Sequence, residues 1–239
     1  MKGFVFDLDN TLYDRYGTIE AFMRAYEKRI MPYINPAYDI EKAIDHVLHT
    51  EPIYILNGWE ALYPALVNEF FFNADNTPTY EQFRALAKQG FFEFAVKFDG
   101  IPEFLKELKD RGYAVALLTN ADDLKYQYNK LDMLGLRDCF DKIIISGEYA
   151  KLKYGDEKNR KYEKPNPEIF LYTADQLGIE PSELYYVGDN AKNDVMGALN
   201  SGFVPIWVRS RSPWTLENKY LPKLCVDNVL DILNTDGIF

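Results

Sequence analysis

The stretch FVFDLDNTLYD, residues 4–14, decides how the rest of this chain is interpreted. Its first three residues form a short apolar run, which is typical of a strand buried on both faces of a parallel sheet. Asp7 and Asp9 follow where that strand should end. Two carboxylates at i and i+2 on extended backbone point the same way, and at about 4 Å with an effective dielectric near 20 they repel by roughly 4 kcal/mol. We therefore expect the strand to end here and another group to offset the charge.

An Asx turn is the simpler interpretation of the same residues, because Asp and Asn often bond to local backbone where a strand becomes a loop. Three later stretches favour a functional site instead. Each follows a predicted strand or opens a predicted helix, and each carries groups that a phosphate and a hard cation need. These groups are Thr119 with Asn120, Lys164, and Asp189 with Asp194.

Composition restricts the class of protein. The chain has 239 residues, of which 47% are hydrophobic and 15% aromatic, so it is long and apolar enough for one large domain or a core with an inserted second one. Its 27 basic and 37 acidic residues give a net charge of −10. That charge repels polyanions, so we expect neither nucleic acid nor an acidic membrane as a partner. An anionic ligand would need a local positive feature.

Cysteine usage and hydropathy predict a compartment. Cys139 and Cys225 are the only cysteines and are far apart in sequence, which argues against a disulfide framework or a thiolate zinc site. The first strand begins within three residues of Met1, and no run approaches the roughly 18 apolar residues of a membrane span. We therefore expect a soluble, unprocessed, cytoplasmic protein.

The pattern between residues 14 and 99 is helical. Apolar residues at spacings of three and four, with Asp39 and Thr79 as candidate N-caps, predict four helices near residues 16–30, 40–48, 59–71 and 80–96. Prolines and asparagines separate these segments, and none of them has the alternation of a strand. The pattern therefore predicts an all-helical insertion.

Helices and strands alternate from Gly100 onward. Buried strands are predicted at residues 114–118, 142–145, 185–187 and 204–208, with helices after Pro102 and at 122–134, 167–177 and 194–201. Regular alternation predicts an α/β fold with a doubly wound parallel sheet and right-handed crossovers. Ligands bind such sheets at the carboxyl ends of the strands, where Asp7, Thr119, Ser146 and Asp189 all fall.

Four motifs, taken together, resemble those of the haloacid dehalogenase-like hydrolase superfamily. They are DLDNT at 7–11, TN at 119–120, KPNPEIF at 164–170 and GDNAKND at 188–194. The resemblance implies a Rossmann-like core formed by residues 1–14 and 99–239. It also implies that residues 15–98, between the first and second motifs, form the helical cap domain of that superfamily.

The resemblance assigns chemistry to the first and last motifs. Asp7 matches the nucleophile that forms an aspartyl-phosphate, and Asp9 matches the general acid and base. Magnesium is the implied cofactor, held by Asp7, Asp189 and the backbone carbonyl of Asp9. Asp194 is expected to support the site through water or by holding Lys164.

The remaining matches form an anion clamp. Lys164 and the Thr119 hydroxyl, with backbone N–H groups near Leu8 and Asn120, would hold the transferring phosphate oxygens.

Each of these residues also has an ordinary structural interpretation. Thr119 can be a turn residue, Asn120 a helix cap, and Lys164 a surface lysine. Asp189 and Asp194 can be a cap and a first-turn acid favoured by the helix dipole. Their joint occurrence in one order favours the active site.

The leading hypothesis is a Mg²⁺-dependent phosphatase acting on a small phosphomonoester, such as a nucleoside monophosphate or a phosphoglycolate-like compound, as a monomer or homodimer. Asp9 argues against the metal-free dehalogenases, which typically lack a second aspartate. A sugar-phosphate mutase and a non-catalytic regulatory protein remain alternatives. Residues 149–163, YAKLKYGDEKNRKYE, lengthen the segment before Lys164 and are expected to form a solvated loop or short hairpin that can border the site and add positive charge.

Overall fold

The computed structural model describes residues 2–210, 214–217, 219–235 and 238, and the chain divides into two compact units. One unit comprises Met1–Tyr13 and Lys97–Phe239, and the other comprises Asp14–Val96. The expected boundaries, at residues 14/15 and 98/99, lie one and two residues from these positions.

The described residues contain eight strands, and six of them form one sheet. They are β1 (Gly3–Phe6), β2 (Tyr13–Asp14), β3 (Val96–Lys97), β4 (Ala114–Thr119), β5 (Lys142–Ile145), β6 (Leu184–Gly188), β7 (Val204–Val208) and β8 (Leu224–Val226).

The sheet order is β5-β4-β1-β6-β7-β8, and every pair is parallel. The chain runs outward from β1 through β4 to β5, then crosses to β6 and runs outward through β7 to β8. This order is that of a doubly wound Rossmann-like sheet, and it places the topological switch point at the carboxyl end of β1. The predicted fold class is confirmed.

Ten α-helices accompany the strands in the described residues. The unit Asp14–Val96 holds α1 (Arg15–Ala25), α2 (Glu27–Ile30), α3 (Ile40–Tyr54), α4 (Trp59–Asn68) and α5 (Tyr80–Phe94). The other unit holds α6 (Ile101–Asp110), α7 (Leu124–Leu134), α8 (Ser146–Tyr154), α9 (Pro167–Leu177) and α10 (Gly197–Asn200).

Burial explains why β1 is central. All four of its residues are buried, and Val5 pairs in register with Ala116 of β4 and Tyr186 of β6. On one face Phe6 meets Phe104 of α6 edge to face, with ring centroids 5.7 Å apart. On the other face Val5 belongs to the apolar cluster that includes α9 and α10. Helices therefore cover both faces, as the uninterrupted apolar run predicts.

The helical unit follows the predicted pattern with small differences. Asp39 caps α3 through a bond from Lys42 N, and Thr79 with Gln82 forms a capping box on α5. The helix predicted at 16–30 is broken at Tyr26 into α1 and α2. The two-residue strand β3 was not predicted, because two residues are too few to show alternation.

The prediction of a loop or hairpin at residues 149–163 is wrong in its first half, since Ser146–Tyr154 is α8. Tyr149 and Tyr162 are buried, and the Tyr149 hydroxyl donates to Glu168 at 2.6 Å. These aromatic anchors fix the segment on the core. Two of its five basic side chains form ion pairs within or beside it, Lys151 with Glu157 and Arg160 with Glu163.

Across the described parts of the chain, none of the helices has the length and apolar character that a membrane crossing requires.

Candidate active site

The chain turns sharply after β1 through hydrogen bonds between backbone atoms, whereas the Asx interpretation expected side chains to bond to local backbone. Asp7 N donates to Val187 O at 2.9 Å, and Leu12 N donates to Leu8 O at 2.9 Å. Asn10 sits between them with φ of 60°, a left-handed conformation that asparagine tolerates better than most residues. This turn sets Asp7 and Asp9 at the carboxyl end of the central strand, with the buried Leu8 between them.

Lys164 is the centre of the site and is only 5% exposed, so its interpretation as a surface lysine is wrong. Its Nζ donates to Asp7 Oδ1 at 2.6 Å and to Asp194 Oδ1 at 2.8 Å. It also donates to the Tyr186 hydroxyl at 2.7 Å. One ammonium therefore joins the first, third and fourth motifs, and it supplies the charge that the first motif lacks.

Burial and charge shift the pKa of both partners in this cluster. Burial would lower the pKa of Lys164, but Asp194 and Asp7 raise it well above its ordinary value, so the side chain is an ammonium. Burial raises the pKa of Asp7, Lys164 lowers it, and Asp194, Asp189 and Asp9 raise it again, to about 8. Burial and the neighbouring acidic groups therefore oppose the ionised form of Asp7 more than one lysine favours it.

Asn120 holds the backbone of Lys164 from two sides. Its Oδ1 accepts from Lys164 N at 2.9 Å, and its Nδ2 donates to Lys164 O at 3.1 Å. The alternative interpretation of Asn120 as a helix cap is wrong, because Asp123 caps α7. Its side chain orients Lys164, which leaves its backbone N–H as the group expected to meet a phosphate.

Thr119 ends β4 and is 1% exposed. Its Oγ1 accepts a hydrogen bond from Gln127 Nε2 at 3.2 Å. Since that bond uses an oxygen lone pair, the hydroxyl hydrogen can be donated to an anion. Ser146, also at a strand end, instead accepts from Ala121 N at 3.0 Å and fastens the loop after β4.

Asp7, Asp189 and Asp194 bring one carboxylate oxygen each within 4.8 Å of one another, and all three residues are buried. Ser210 Oγ donates to Asp189 Oδ2 at 2.7 Å, and Trp207 Nε1 donates to Asp189 O at 2.7 Å. Neither Ser210 nor Trp207 was identified from the sequence, because nothing local to β7 marks their contact with Asp189.

A π-helical segment, Ala191–Met196, presents Asp194 to this cluster. Asn190 caps the segment through Asn193 N, and Asp194 Oδ2 accepts from Asn190 N at 2.9 Å. Gly188 leaves the room for this arrangement, since a Cβ built there would lie 2.4 Å from Asp194 Cγ. Asp194 thus holds Lys164, which was one of its two expected roles.

The donor set of the cluster suits a hard divalent cation. Three buried carboxyl groups lie together and one ammonium contacts two of them, so ionisation of all three would leave excess negative charge in a buried setting. Mg²⁺ takes oxygen ligands and commonly uses only one or two carboxylates. A cation there would also offset the raised pKa of Asp7.

Asp9 contacts a second lysine and a tyrosine. Lys130 Nζ of α7 donates to Asp9 Oδ1 at 2.9 Å and to Oδ2 at 3.2 Å. The Tyr13 hydroxyl also donates to Asp9 Oδ1. Sequence reasoning missed both partners. The available signal was weak: Gln127 and Lys130 occupy positions on α7 where an amphipathic helix would place apolar residues.

Comparison with known proteins agrees with this geometry. A model of haloacid dehalogenase-like hydrolases matches residues 1–202. The N-acylneuraminate-9-phosphatase of Mus musculus is 27% identical over 241 residues, which cover 97% of this chain and 92% of that protein. The phosphoserine phosphatase of Thermus thermophilus is 30% identical over 236 residues, covering 87% and 88%.

A solved structure with the same architecture is that of the HAD-hydrolase YfnB from Bacillus subtilis, bound to magnesium. It superposes with a TM-score of 0.72 at 17% identity and covers 98% of this chain and 97% of that one. At that identity the likeness supports the fold alone.

Proposed function

The chain belongs to the haloacid dehalogenase-like hydrolase family, and from that premise we propose that it is a Mg²⁺-dependent phosphatase of small phosphomonoesters that works through an aspartyl-phosphate on Asp7. The observation that carries the proposal is the buried contact of one lysine, Lys164, with both Asp7 and Asp194 beside a third carboxylate. The named phosphatases among its relatives support the same reaction class.

The first half of the reaction uses Asp7 as nucleophile and Asp9 as acid. A carboxylate oxygen of Asp7 attacks phosphorus, and the bond from phosphorus to the ester oxygen breaks. Asp9 gives a proton to the departing oxygen, so an alcohol leaves and Asp7 carries the phosphoryl group. Lys164 and the Thr119 hydroxyl bind the phosphoryl oxygens as negative charge shifts onto them.

The second half regenerates Asp7. Asp9, now a carboxylate, takes a proton from water, and the water oxygen attacks phosphorus. The bond between phosphorus and Asp7 breaks, and phosphate leaves. Asn120 acts throughout by holding the backbone of Lys164.

We assign Mg²⁺ to Asp7, Asp189 and the Asp9 carbonyl, with Asp194 supporting the site through Lys164. When bound, the cation neutralises charge on the phosphoryl group and favours the ionised form of Asp7. The proposed role of the helical unit, Asp14–Val96, is that of a cap that supplies substrate specificity.

The candidate substrates come from the relatives and from the motifs. The names of relatives give a sugar acid phosphate and an amino acid phosphate as candidates, and the motifs add nucleoside monophosphates and phosphoglycolate. All are small phosphomonoesters.

The test is phosphate release from a panel of these compounds, with Mg²⁺ or with EDTA. We expect turnover only with Mg²⁺, and loss of turnover in Asp7→Asn, which keeps the shape of the side chain but removes its nucleophilic charge. Asp110→Asn is a matched control, because Asp110 is exposed at the end of α6.

Turnover that persists in Asp7→Asn would contradict the aspartyl-phosphate. Absence of release from every ester, with transfer of phosphate between positions of one sugar, would favour a mutase. Absence of both reactions would favour a regulatory protein.

A further inference from the structure

Lys130 is a buried lysine that none of the four motifs contains. It lies on α7 and is 3% exposed. Its Nζ lies 2.9 and 3.2 Å from the two oxygens of Asp9 and 3.2 Å from the Tyr13 hydroxyl. The same ammonium lies 5.2 Å from the centre of the Tyr13 ring. Asp9 and Tyr13 thus both contribute polar contacts to this buried cation of α7.

Burial of a lysine on this face of α7 is costly, so a specific contact must offset the cost. The buried face of α7 consists of Gln127, Lys130, Leu131 and Leu134. A leucine or methionine at position 130 would fit the spacing of this face and would avoid the free-energy cost of desolvating an ammonium. Lys130 therefore contributes something that apolar packing does not. What it contacts is the second aspartate of the first motif.

We propose that Lys130 is a positioning residue: together with Tyr13, it fixes the Asp9 carboxylate in the orientation that proton transfer requires. The inference rests on the proposed function, in which Asp9 is the general acid and base. Lysine then serves each aspartate of the first motif separately, Lys164 at Asp7 and Lys130 at Asp9.

The contacts of Lys130 and Tyr13 restrain the rotation of the Asp9 carboxylate as well as its position. Lys130 reaches both carboxylate oxygens and the Tyr13 hydroxyl reaches Oδ1, so rotation about the last bond of Asp9 breaks at least one hydrogen bond. The Asp9 side chain is 25% exposed, so a carboxylate released from these donors can turn toward water. Loss of Lys130 should therefore impair proton transfer more than substrate binding.

Leaving groups of different basicity test this directly. An alkyl phosphate needs a proton on its departing oxygen, whereas p-nitrophenyl phosphate needs little help. Because kcat/KM reports only the steps up to loss of the alcohol, we expect Lys130→Met to lower kcat/KM for the alkyl ester at least about 10-fold more than for p-nitrophenyl phosphate. Lys130→Arg should recover part of the loss. Lys125→Met, at an exposed site on the same helix, is the matched control.

A second comparison separates positioning from a general structural effect. In an Asp9→Asn background, Lys130→Met should lower kcat/KM by less than about 3-fold for either ester, because the carboxylate that it positions is already absent. Tyr13→Phe, which removes one hydroxyl and keeps the ring, should show a smaller leaving-group effect of the same sign. Melting temperatures in Mg²⁺ accompany each assay and identify variants that fail to fold.

The outcomes distinguish two failures. If Lys130→Met lowers kcat/KM for both esters equally, or lowers it as much in the Asp9→Asn background as in the native one, the positioning role is wrong while Asp9 can still be the acid. If Asp9→Asn itself spares the alkyl ester, the proposed role of Asp9 fails first. Should Lys130→Met fail to fold, Tyr13→Phe and Lys130→Arg decide: equal effects on both esters overturn the inference.

Discussion

Tyr186 is a buried residue that joins Lys164 to strand β4. Its hydroxyl accepts from Lys164 Nζ at 2.7 Å and donates to Leu118 O at 3.0 Å. Burial raises the pKa of this phenol well above its ordinary value, although Lys164 lowers it, so it remains neutral at physiological pH. A neutral hydroxyl can both accept from the ammonium and donate to a carbonyl, which phenylalanine cannot do.

Replacing Tyr186 by Phe should destabilise the protein because a buried ammonium loses one acceptor and a buried carbonyl loses its donor. Hydrogen bonds to charged groups contribute about 1.5–3 kcal/mol, and we expect a decrease of that size in the free energy of unfolding. Urea unfolding measures it. Tyr185→Phe is the control on the same strand: the residue is half-buried and its hydroxyl donates a long bond of 3.3 Å to Ile238 O, so the loss should stay within about 0.5 kcal/mol. Equal losses in the two variants would contradict the special role of Tyr186.

The sequence predicted the residues of the candidate site but not the contacts that join them. Asp7, Thr119 and Asp189 were recognisable because each follows a strand that ends at the same edge of the sheet. Tyr186 and Lys130 were not, since both fill positions where an ordinary buried side chain also fits. Their roles come from contacts between elements distant in sequence, which no local pattern contains.

The π-helical segment Ala191–Met196 is the element that aims Asp194. Val195 N donates to Asn190 O at 3.3 Å, five residues back, while Asp194 N donates to the same carbonyl at 2.9 Å. The wider turn accommodates one extra residue relative to an α-helix, and such turns occur often at functional sites. The predicted helix at 194–201 therefore begins earlier and in a different form.

Deleting Lys192 should remove the extra residue and allow an α-helical turn. Lys192 is exposed, so its own side chain is dispensable, but the deletion rotates Asp194 away from Lys164. We expect kcat/KM for the best phosphomonoester to fall by about 100-fold, the size of effect that a displacement near 1 Å can produce. Lys192→Ala, which keeps the register, should retain activity. If the deletion variant is folded by circular dichroism and fully active, the segment does not position Asp194.

The helices and strands that have a continuous sequence pattern were predictable. The apolar runs of β5 and β7 predicted their bounds, and Pro167 with Gly178 predicted those of α9. The sixth strand of the sheet, β8, was missed because it is three residues long at the sheet edge, with exposed Cys225 in its middle. Helix α8 was missed because its lysines and tyrosines do not separate into clear faces; its packing through Tyr149 defines it.

Charge is the property that connects the site to the stability of the whole molecule. The chain carries a net charge of −10, and the unit built on the sheet brings three buried carboxyl groups together, two of which contact Lys164. Self-repulsion of this kind opposes the compact state, and a bound cation relieves it. Stability and catalysis should therefore respond to the same ion.

This coupling predicts a pH-dependent stabilisation by Mg²⁺. Without a divalent cation, Asp7 titrates near 8 in the folded protein, against an ordinary value of 3.8. Between those values the folded state binds more protons than the unfolded state, so the free energy of unfolding falls as pH rises from about 4 to about 8. Mg²⁺ must displace the Asp7 proton at pH 6 but little of it above pH 8, so its effect should grow with pH.

Melting curves at pH 6 and pH 8.5, in EDTA and in Mg²⁺, measure the effect, with NaCl at matched ionic strength as the control for screening. At 100 times its Kd the ion should add about 2.7 kcal/mol at the higher pH, which corresponds to a rise in Tm of about 5–10 °C. Asp7→Asn should lose most of the pH dependence and, in EDTA at pH 8.5, melt above the native protein. If Mg²⁺ raises the Tm of the native protein equally at both pH values, titration of Asp7 does not couple stability to cation binding.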